Sequence, residues 1–140
     1  MTYAVASALQ TAIWQRLSGD AELVALVGAE IHDAPPQGGT ADAPDLMVTL
    51  GEERVRDNST KTSRGASHDF TVDVVARTEG FSRPKAAAAA VCEALLGADL
   101  TLSKGHLVDL RFLSARAERG RASAPRRVSL RFRAVIEETS

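Results

Sequence analysis

The sequence predicts an α+β fold, in which a mostly antiparallel sheet packs against an alanine-rich helix and a helical hairpin precedes the sheet. Two periodicities lead to this class. Apolar residues recur at three- and four-residue steps in residues 3–27 and 85–96, whereas four later segments alternate apolar and polar residues. The length of 140 residues, with 44% hydrophobic and 25% charged residues, is typical of one globular domain. We therefore expect a single domain spanning residues 1–140.

The N-terminal residues predict two short helices. Residues 3–17 place their apolar side chains on one stripe of a helix, with Trp14 beside the stripe. The pattern breaks at Gly19, and Asp20 is a favourable N-cap for a second helix that ends before Gly28. Together they predict a helical hairpin.

A third helix is predicted between residues 85 and 96. Ser82 is the expected cap, Pro84 falls in the first turn, and Gly97 follows the end. The alanine run gives this helix small side chains, which permit close packing on a sheet.

Strict alternation predicts four strands, at residues 46–50, 70–76, 108–112 and 128–136. A further edge strand is allowed near residues 100–102. The polar connection at residues 52–67 is longer than a turn requires, which predicts a projecting arm or a flexible loop. The segments rich in turn residues, 33–45 and 118–125, predict irregular loops.

The strand pattern also assigns two faces to the sheet. Three phenylalanines are expected to point inward toward the third helix: Phe70, Phe112 and Phe132. Four charged residues alternate with them and are expected on a face that is wet or in contact with a partner: Asp69, Asp73, Arg131 and Arg133.

The sequence contains little that suggests catalysis. The three histidines, His32, His68 and His106, are far apart in the chain and are expected at exposed or edge positions rather than in a shared metal site. Cys92 lies on the apolar stripe of the third helix, where a thiol is usually a small buried hydrophobe. Phosphate-binding glycine motifs are missing. We expect no enzymatic activity, no cofactor and no metal.

The single cysteine and the N-terminus bear on the compartment. One cysteine cannot form an internal disulfide, which fits a reducing environment. The first uncharged stretch lacks the basic region of a signal peptide and is too short to cross a bilayer. We therefore expect a protein that is made or assembled in the cytoplasm and has no membrane partner.

Charge is strongly segregated along the chain, although its sum is only −1. Residues 1–53, the acidic block, hold one base and eight acids, a net charge of −7. Residues 103–134, the basic block, hold nine bases and two acids, a net charge of +7. Either the blocks neutralise each other within one monomer, or they form complementary surfaces on neighbouring copies. The second arrangement is a head-to-tail contact, which gives a ring if its rotation closes.

Basic residues cluster around the two long connections and form the candidate binding set. Those of the first connection are Arg54, Arg56, Lys61 and Arg64, accompanied by the acids Glu52, Glu53 and Asp57; those of the second are Arg116, Arg119, Arg121, Arg126 and Arg127. Guanidinium groups on loops suit phosphates or the carboxylates of a protein partner. The alternative function is therefore a small nucleic-acid-binding module, although neither loop has an aromatic residue for base stacking.

Several segments in their order resemble a known family. These are the N-terminal helical hairpin, the stretch Ile-His-Asp-Ala-Pro-Pro-Gln-Gly at residues 31–38, the strand Leu-Met-Val-Thr-Leu-Gly at 46–51, the alanine-rich helix, and the paired C-terminal strands. The layout resembles the tail-terminator (tail-completion) proteins of long-tailed, non-contractile phages, prophages and phage-like gene transfer agents. The resemblance covers nearly the whole chain, and a proline- and glycine-rich insertion at residues 37–43 departs from it.

The resemblance implies a structural role without catalysis. It implies a ring, usually of six subunits, that sits on the completed tail tube, stops polymerisation of the tube protein and offers a surface to the head-side connector or stopper protein. DNA would pass through such a ring without specific binding. Assembly would take place in the bacterial cytoplasm, and the product would be part of a particle tail. The family has no catalytic motif, so the interface residues named above are hypotheses of this sequence alone.

Overall fold

The computed structural model describes Tyr3 and residues 5–33, 44–61, 64–77, 80–97, 100–119 and 125–138. The elements in chain order are α1 (Ala6–Ser18), α2 (Ala21–Val27), β1 (Ile31–His32), β2 (Leu46–Asp57), β3 (Gly65–Ala76), α3 (Ser82–Leu96), β4 (His106–Glu118) and β5 (Arg126–Glu137). The strands form one sheet in the order β1-β2-β3-β5-β4, in which the β1–β2 pair is parallel and the other pairs are antiparallel. The predicted α+β fold is confirmed.

The predicted N-terminal helical hairpin is present. α1 buries Leu9, Ile13 and Leu17, the stripe that the sequence predicts. The side chain of Asp20 accepts a hydrogen bond from the backbone N–H of Leu23 at 3.0 Å and caps α2, as expected.

α3 confirms the third helix, but its cap differs from the prediction. Ser82 is the first helical residue, and the capping position belongs to Phe81, which makes no side-chain cap hydrogen bond. Pro84 lies in the first turn, and the backbone N–H of Gly97 closes the end on the carbonyl of Glu93 at 2.8 Å. The alanines that face the sheet are buried, whereas Cys92 is half-buried instead of fully buried.

The prediction of an arm at residues 52–67 is wrong for most of its length. β2 and β3 are 12 residues each and pair as far as Asp57 and Ala66, so that only residues 58–64 connect them. The cause is a β-bulge between Leu50 and Glu53, which shifts the alternation by one residue. A side chain at Gly51 in this bulge would clash with the hydroxyl of Thr71.

Three shorter segments either differ from the prediction or lie outside the described residues. β1 is a two-residue strand that the alternation did not predict, because a pattern needs more residues than this strand has. The prediction of an edge strand near residues 100–102 is wrong, since Leu100 is buried without strand pairing. In the predicted loops, residues 34–43 and 120–124 lie outside the described residues.

The core lies between one face of the sheet and the three helices, and the phenylalanines mark its boundary. Phe132 is fully buried and stacks on Phe70, with ring centroids 5.5 Å apart. Phe112 contacts the edge of Phe132 at 5.9 Å but remains 43% exposed. Phe112 points to the helix side as expected, but its strand, β4, is the sheet edge, and the helix layer leaves its ring partly uncovered.

His68 is a buried core residue, so the interpretation of three exposed or edge histidines is wrong for it. It lies in the central strand β3, opposite Val55 and Ala134, with no exposed surface. Its Nδ1 lies 3.7 Å from a carboxylate oxygen of Glu53. Burial lowers the pKa of the imidazole, and the nearby Glu53 opposes this shift only in part.

Replacement of Phe132 with Ala should lower the free energy of unfolding by about 3–5 kcal/mol, because it opens a cavity in the core. Phe112→Ala is the matched control and should cost about 1 kcal/mol, the scale of one aromatic edge contact. Urea denaturation of the two variants measures both values. Equal losses would contradict the assignment of Phe132 to the core and of Phe112 to its edge.

Stability should fall as the pH drops below about 6.5, the pKa of histidine in the unfolded chain. Since the folded pKa of His68 is lower, the unfolded chain binds more protons between the two values. The contribution is complete above the unfolded pKa and is lost as the pH falls through the folded one. A single titrating group changes the free energy of unfolding by at most about 1.4 kcal/mol per pH unit. Free energies of unfolding at pH 7.5 and 5.5 should show a smaller difference for His68→Leu than for wild type.

Candidate interaction surfaces

The face of the sheet opposite the three helices, here called the open face, gathers arginines from three of the five described strands, β2, β4 and β5. The pairing register and the two-residue period place seven on it: Arg54, Arg56, Arg111, Arg116, Arg127, Arg131 and Arg133. Five carboxylates lie among them: Asp69, Asp73, Asp109, Glu118 and Glu137. The open face therefore carries a modest excess of positive charge, and the prediction that this face is polar is confirmed.

Asp69 organises the centre of the open face. Its carboxylate accepts two hydrogen bonds from the guanidinium of Arg133, from Nε at 2.8 Å and from Nη2 at 3.0 Å. Arg56 approaches the same carboxylate at 4.0 Å. The hydrogen bonds from Arg133 lower the pKa of Asp69 despite its burial, and they raise the pKa of Arg133. This bidentate pair holds the guanidinium of Arg133 in place at the centre of the open face.

Exposed arginines on the same face border a cavity of about 680 Å³. Arg54 and Arg131 line it, together with Phe70, Thr71 and three carboxylates, those of Glu52, Glu53 and Asp69. Both guanidinium groups belong to exposed residues. Planar guanidinium groups at a polar cleft are suited to the carboxylates of a protein partner.

The ion pairs of the open face draw their acids from outside the acidic block. Arg127 lies 3.9 Å from Asp73, and Arg111 lies 2.7 Å from Asp109. Arg116 pairs with Glu118, also at 2.7 Å. In these described pairs, the basic block is balanced by its own strands and by β3, not by residues 1–53.

The two charge blocks occupy opposite edges of the sheet. The acidic block includes β1, at one end of the strand order, with Glu30 and Asp33 on either side of it, whereas the basic block forms β4 and most of β5, at the other end. Four strand spacings separate the two edges, a distance of about 19 Å. Each subunit thus presents an acidic edge and a basic edge that face away from each other.

The acids of the first connection are mostly engaged within the chain. Because of the bulge, Glu53 and Asp57 point to the helix side of β2, and Glu52 lies within the bulge itself. Glu53 accepts a hydrogen bond from the hydroxyl of Tyr3, which raises the pKa of that phenol. Asp57 accepts hydrogen bonds from the backbone and hydroxyl of Ser59, and these lower the pKa of its carboxyl.

The basic residues of the candidate set separate in space. Lys61 and Arg64 are exposed at the β2–β3 connection, and Arg119 is exposed just after β4, whereas Arg121 lies outside the described residues. Arg126 and Arg127, which the sequence groups together, point to opposite faces.

Arg126 belongs to the helix side of the sheet. Its guanidinium lies over the ring of Phe81, 5.6 Å from the centroid, in a cation–π contact. Among the pair, Arg127 alone contributes to the open face.

The sequence set left out Arg111 because it followed the loops instead of the strands, whereas strand alternation places Arg131 and Arg133 on this face, as expected. It also missed two exposed aromatic residues, Trp14 and Phe112. Strand alternation was the signal for the arginines. A tryptophan beside the apolar stripe of an amphipathic helix was the signal for Trp14.

Two general properties complete the description of the surface. Within the described residues, no three histidine, cysteine, aspartate or glutamate side chains converge as metal ligands. None of the helices in the described part of the chain combines the length and the apolar character needed to cross a membrane.

Comparisons with known proteins agree on one family. The family model of tail completion protein gp17 matches residues 11–137. A solved structure titled "Virion of native gene transfer agent (GTA) particle" contains a chain that is 51% identical, with a TM-score of 0.87 over 97% of this chain and 99% of that one. A comparison with curated proteins gives no match. The chain therefore belongs to the family of tail completion protein gp17, and it is a structural protein of a phage-like tail.

Proposed function

We propose that copies of this chain form a ring, six subunits by the family resemblance, on the end of the completed tail tube. The ring stops polymerisation of the tube protein and joins the tube to the head-side connector. Membership of a tail completion family and the close likeness to a chain in a gene transfer agent virion support this role. The observation that carries it is the separation of an acidic and a basic edge on one small sheet.

The edges favour a heterologous contact between subunits. An isologous contact would bring like charges together, acid to acid or base to base, which is unfavourable. A head-to-tail contact instead places the basic edge of one copy against the acidic edge of the next. Repeated head-to-tail contacts close into a ring when the rotation that relates neighbouring subunits is an integral fraction of a turn.

The open face is the proposed docking surface for the tube or the connector. It is free of the helix layer, and the Asp69–Arg133 pair orders its centre. Arg54 and Arg131 remain exposed beside the polar cavity. They are suited to bidentate contacts with acidic side chains of a protein. DNA passing through the ring needs no specific contact in this arrangement.

Arg131→Glu should block docking with little effect on folding. Arg131 is exposed, and its strand neighbours in the sheet are Thr71 and Ser114, so the change leaves the Asp69–Arg133 pair intact. We expect the free energy of unfolding to change by at most about 0.5 kcal/mol. The yield of complete particles should fall at least about tenfold, as expected from the loss of about 1.4 kcal/mol or more of binding energy. Electron microscopy of particles from cells that carry only the variant measures this yield.

The matched control is Arg83→Glu, which makes the same charge change at an exposed position in the first turn of α3. It should give particles at the wild-type level. Overlong tubes in the Arg131→Glu cells would identify the tube as the partner, whereas tubes of normal length without heads would identify the connector. Normal particles with Arg131→Glu would contradict docking through the open face.

Nucleic-acid binding is the second candidate, because the open face collects seven arginines. Two features weigh against it. Carboxylates such as Asp69 and Asp73 lie in the middle of that face, and none of its described residues is Phe, Tyr or Trp. A phosphate-binding face would show an affinity for duplex and single-stranded DNA that falls steeply with salt. Absence of binding at low salt would remove this candidate.

A further inference from the structure

We propose that Trp14 of one copy inserts into an apolar groove beside β4 of the next copy, and that this contact joins neighbouring subunits. The inference rests on the ring of the proposed function and specifies which surfaces meet in it. It arises from the distribution of exposed apolar side chains. Trp14 lies at the acidic edge of the sheet, and Phe112 lies at the basic edge, 45% and 43% exposed.

The groove lies between α3 and the last two strands and has a volume of about 340 Å³. Its walls are mostly apolar and include Ala88, Cys92, Phe112, Ala115, Ala117 and Leu130. The groove exists because α3 presents alanines toward β4, and alanine side chains fill less space than larger ones. The volume lies at the lower end of clefts that hold small ligands, which suits one aromatic side chain.

The indole of Trp14 is held in place within its own subunit. Its Nε1–H donates to the backbone carbonyl of Ile31 at 3.0 Å, so the polar end of the indole is satisfied within its own subunit. This bond fixes the ring against β1 and leaves nearly half of the residue outside. A preorganised tryptophan of this kind loses little conformational entropy on binding and is typical of the centre of an interface.

Both surfaces lie at the same level of the sheet. Ile31, which holds the indole, begins a row of directly paired residues that crosses β2, β3 and β5 and ends at Ala117 in the groove wall. A contact between Trp14 and this groove therefore joins two copies with little offset along the strands. A small offset favours a closed ring over an open helical filament.

The charges beside Trp14 and beside the groove favour a second copy of this chain as the partner that fills the groove. Glu30 and Asp33 lie next to the strand that holds Trp14, and Asp33 is exposed. Lys85 lines the groove, and Arg119 is exposed just beyond the end of β4. The acidic surroundings of the tryptophan thus match the basic surroundings of the groove.

We expect neighbouring subunits to contact each other through side chains and not through backbone pairing that extends the sheet. β4 carries two bulges along its pairing with β5, between Leu107 and Asp109 and between Phe112 and Ser114. Bulges and charged side chains are common protections of an edge strand against pairing with another strand. The groove on the helix side is then an apolar feature of this edge, in addition to the exposed side chain of Val108.

The test is chemical crosslinking in purified particles. Gln10 is exposed on α1, one turn before Trp14 and on the same side of the helix, so Gln10→Cys keeps the anchor. The second thiol is Ala89→Cys, at an exposed position of the groove lining, and Cys92→Ser removes the native thiol, which the inserted indole would cover. A short bismaleimide should join the two introduced thiols across neighbouring subunits. Denaturing gels should then show a ladder of multimers of this chain. Restoring Ala89 should return the product to monomer.

Thr11→Cys, also exposed on α1, is the second variant and should give the same ladder. A lysine crosslinker on wild-type particles, acting at Lys61, Lys85 and Lys104, tests the ring without reference to this contact. Multimers with the lysine reagent but none with either thiol variant would overturn the contact and leave the ring standing. Monomers with both reagents would overturn the ring as well. Dimers that persist when Ala89 is restored would indicate an isologous contact and would also overturn the proposal.

Discussion

Three short helices cannot cover both faces of a five-stranded sheet, and this constraint shapes the rest of the molecule. The helices bury one face, where Phe132 and His68 lie, and they leave the other face to solvent. The uncovered face must then be polar, yet long strands with many like charges repel one another. The Asp69–Arg133 pair in the two central strands meets this difficulty, because it balances charge where the arginines are most crowded. The same limited coverage leaves Phe112 and its groove open at the edge.

Chain order converts a charge gradient along the sequence into a charge difference across the sheet. The N-terminal hairpin delivers β1 to one edge, and the last hairpin places β4 at the other. A gradient along the sequence does not require this result, since strands from both ends of a chain are neighbours in many folds. Here β2, β3 and β5 separate them, and the arginines of the basic block pair with nearby acids such as Asp73 and Asp109. The two edges therefore keep opposite character in the folded subunit.

The sequence was sufficient for the fold class, the three helices and the two faces of the sheet, because these depend on periodicity. It failed where the period is interrupted or too short to detect. One bulge after Leu50 shifted the phase of β2, so a regular ribbon resembled a polar arm, and Glu53 was assigned to a surface when it faces Tyr3 and His68. The burial of His68 was missed for another reason: a polar residue at an inward position hides the period of β3, which begins five residues earlier than the predicted strand. The pairing of an exposed aromatic residue with a distant groove depends on strand order, which periodicity does not contain.

Strand order also bears on how a small domain can make a large assembly of fixed size. An edge strand that paired through its backbone would allow sheets to extend without limit, and register slips would change the angle between copies. A side chain that enters a groove permits one register only. Because Trp14 is held by its own subunit and the groove by α3 and β5, the proposed contact would set the angle between neighbours through rigid elements on both sides. The proposed ring must match a tube of fixed symmetry and would require such an angle, which the sheet would supply by placing both halves of the contact on one row.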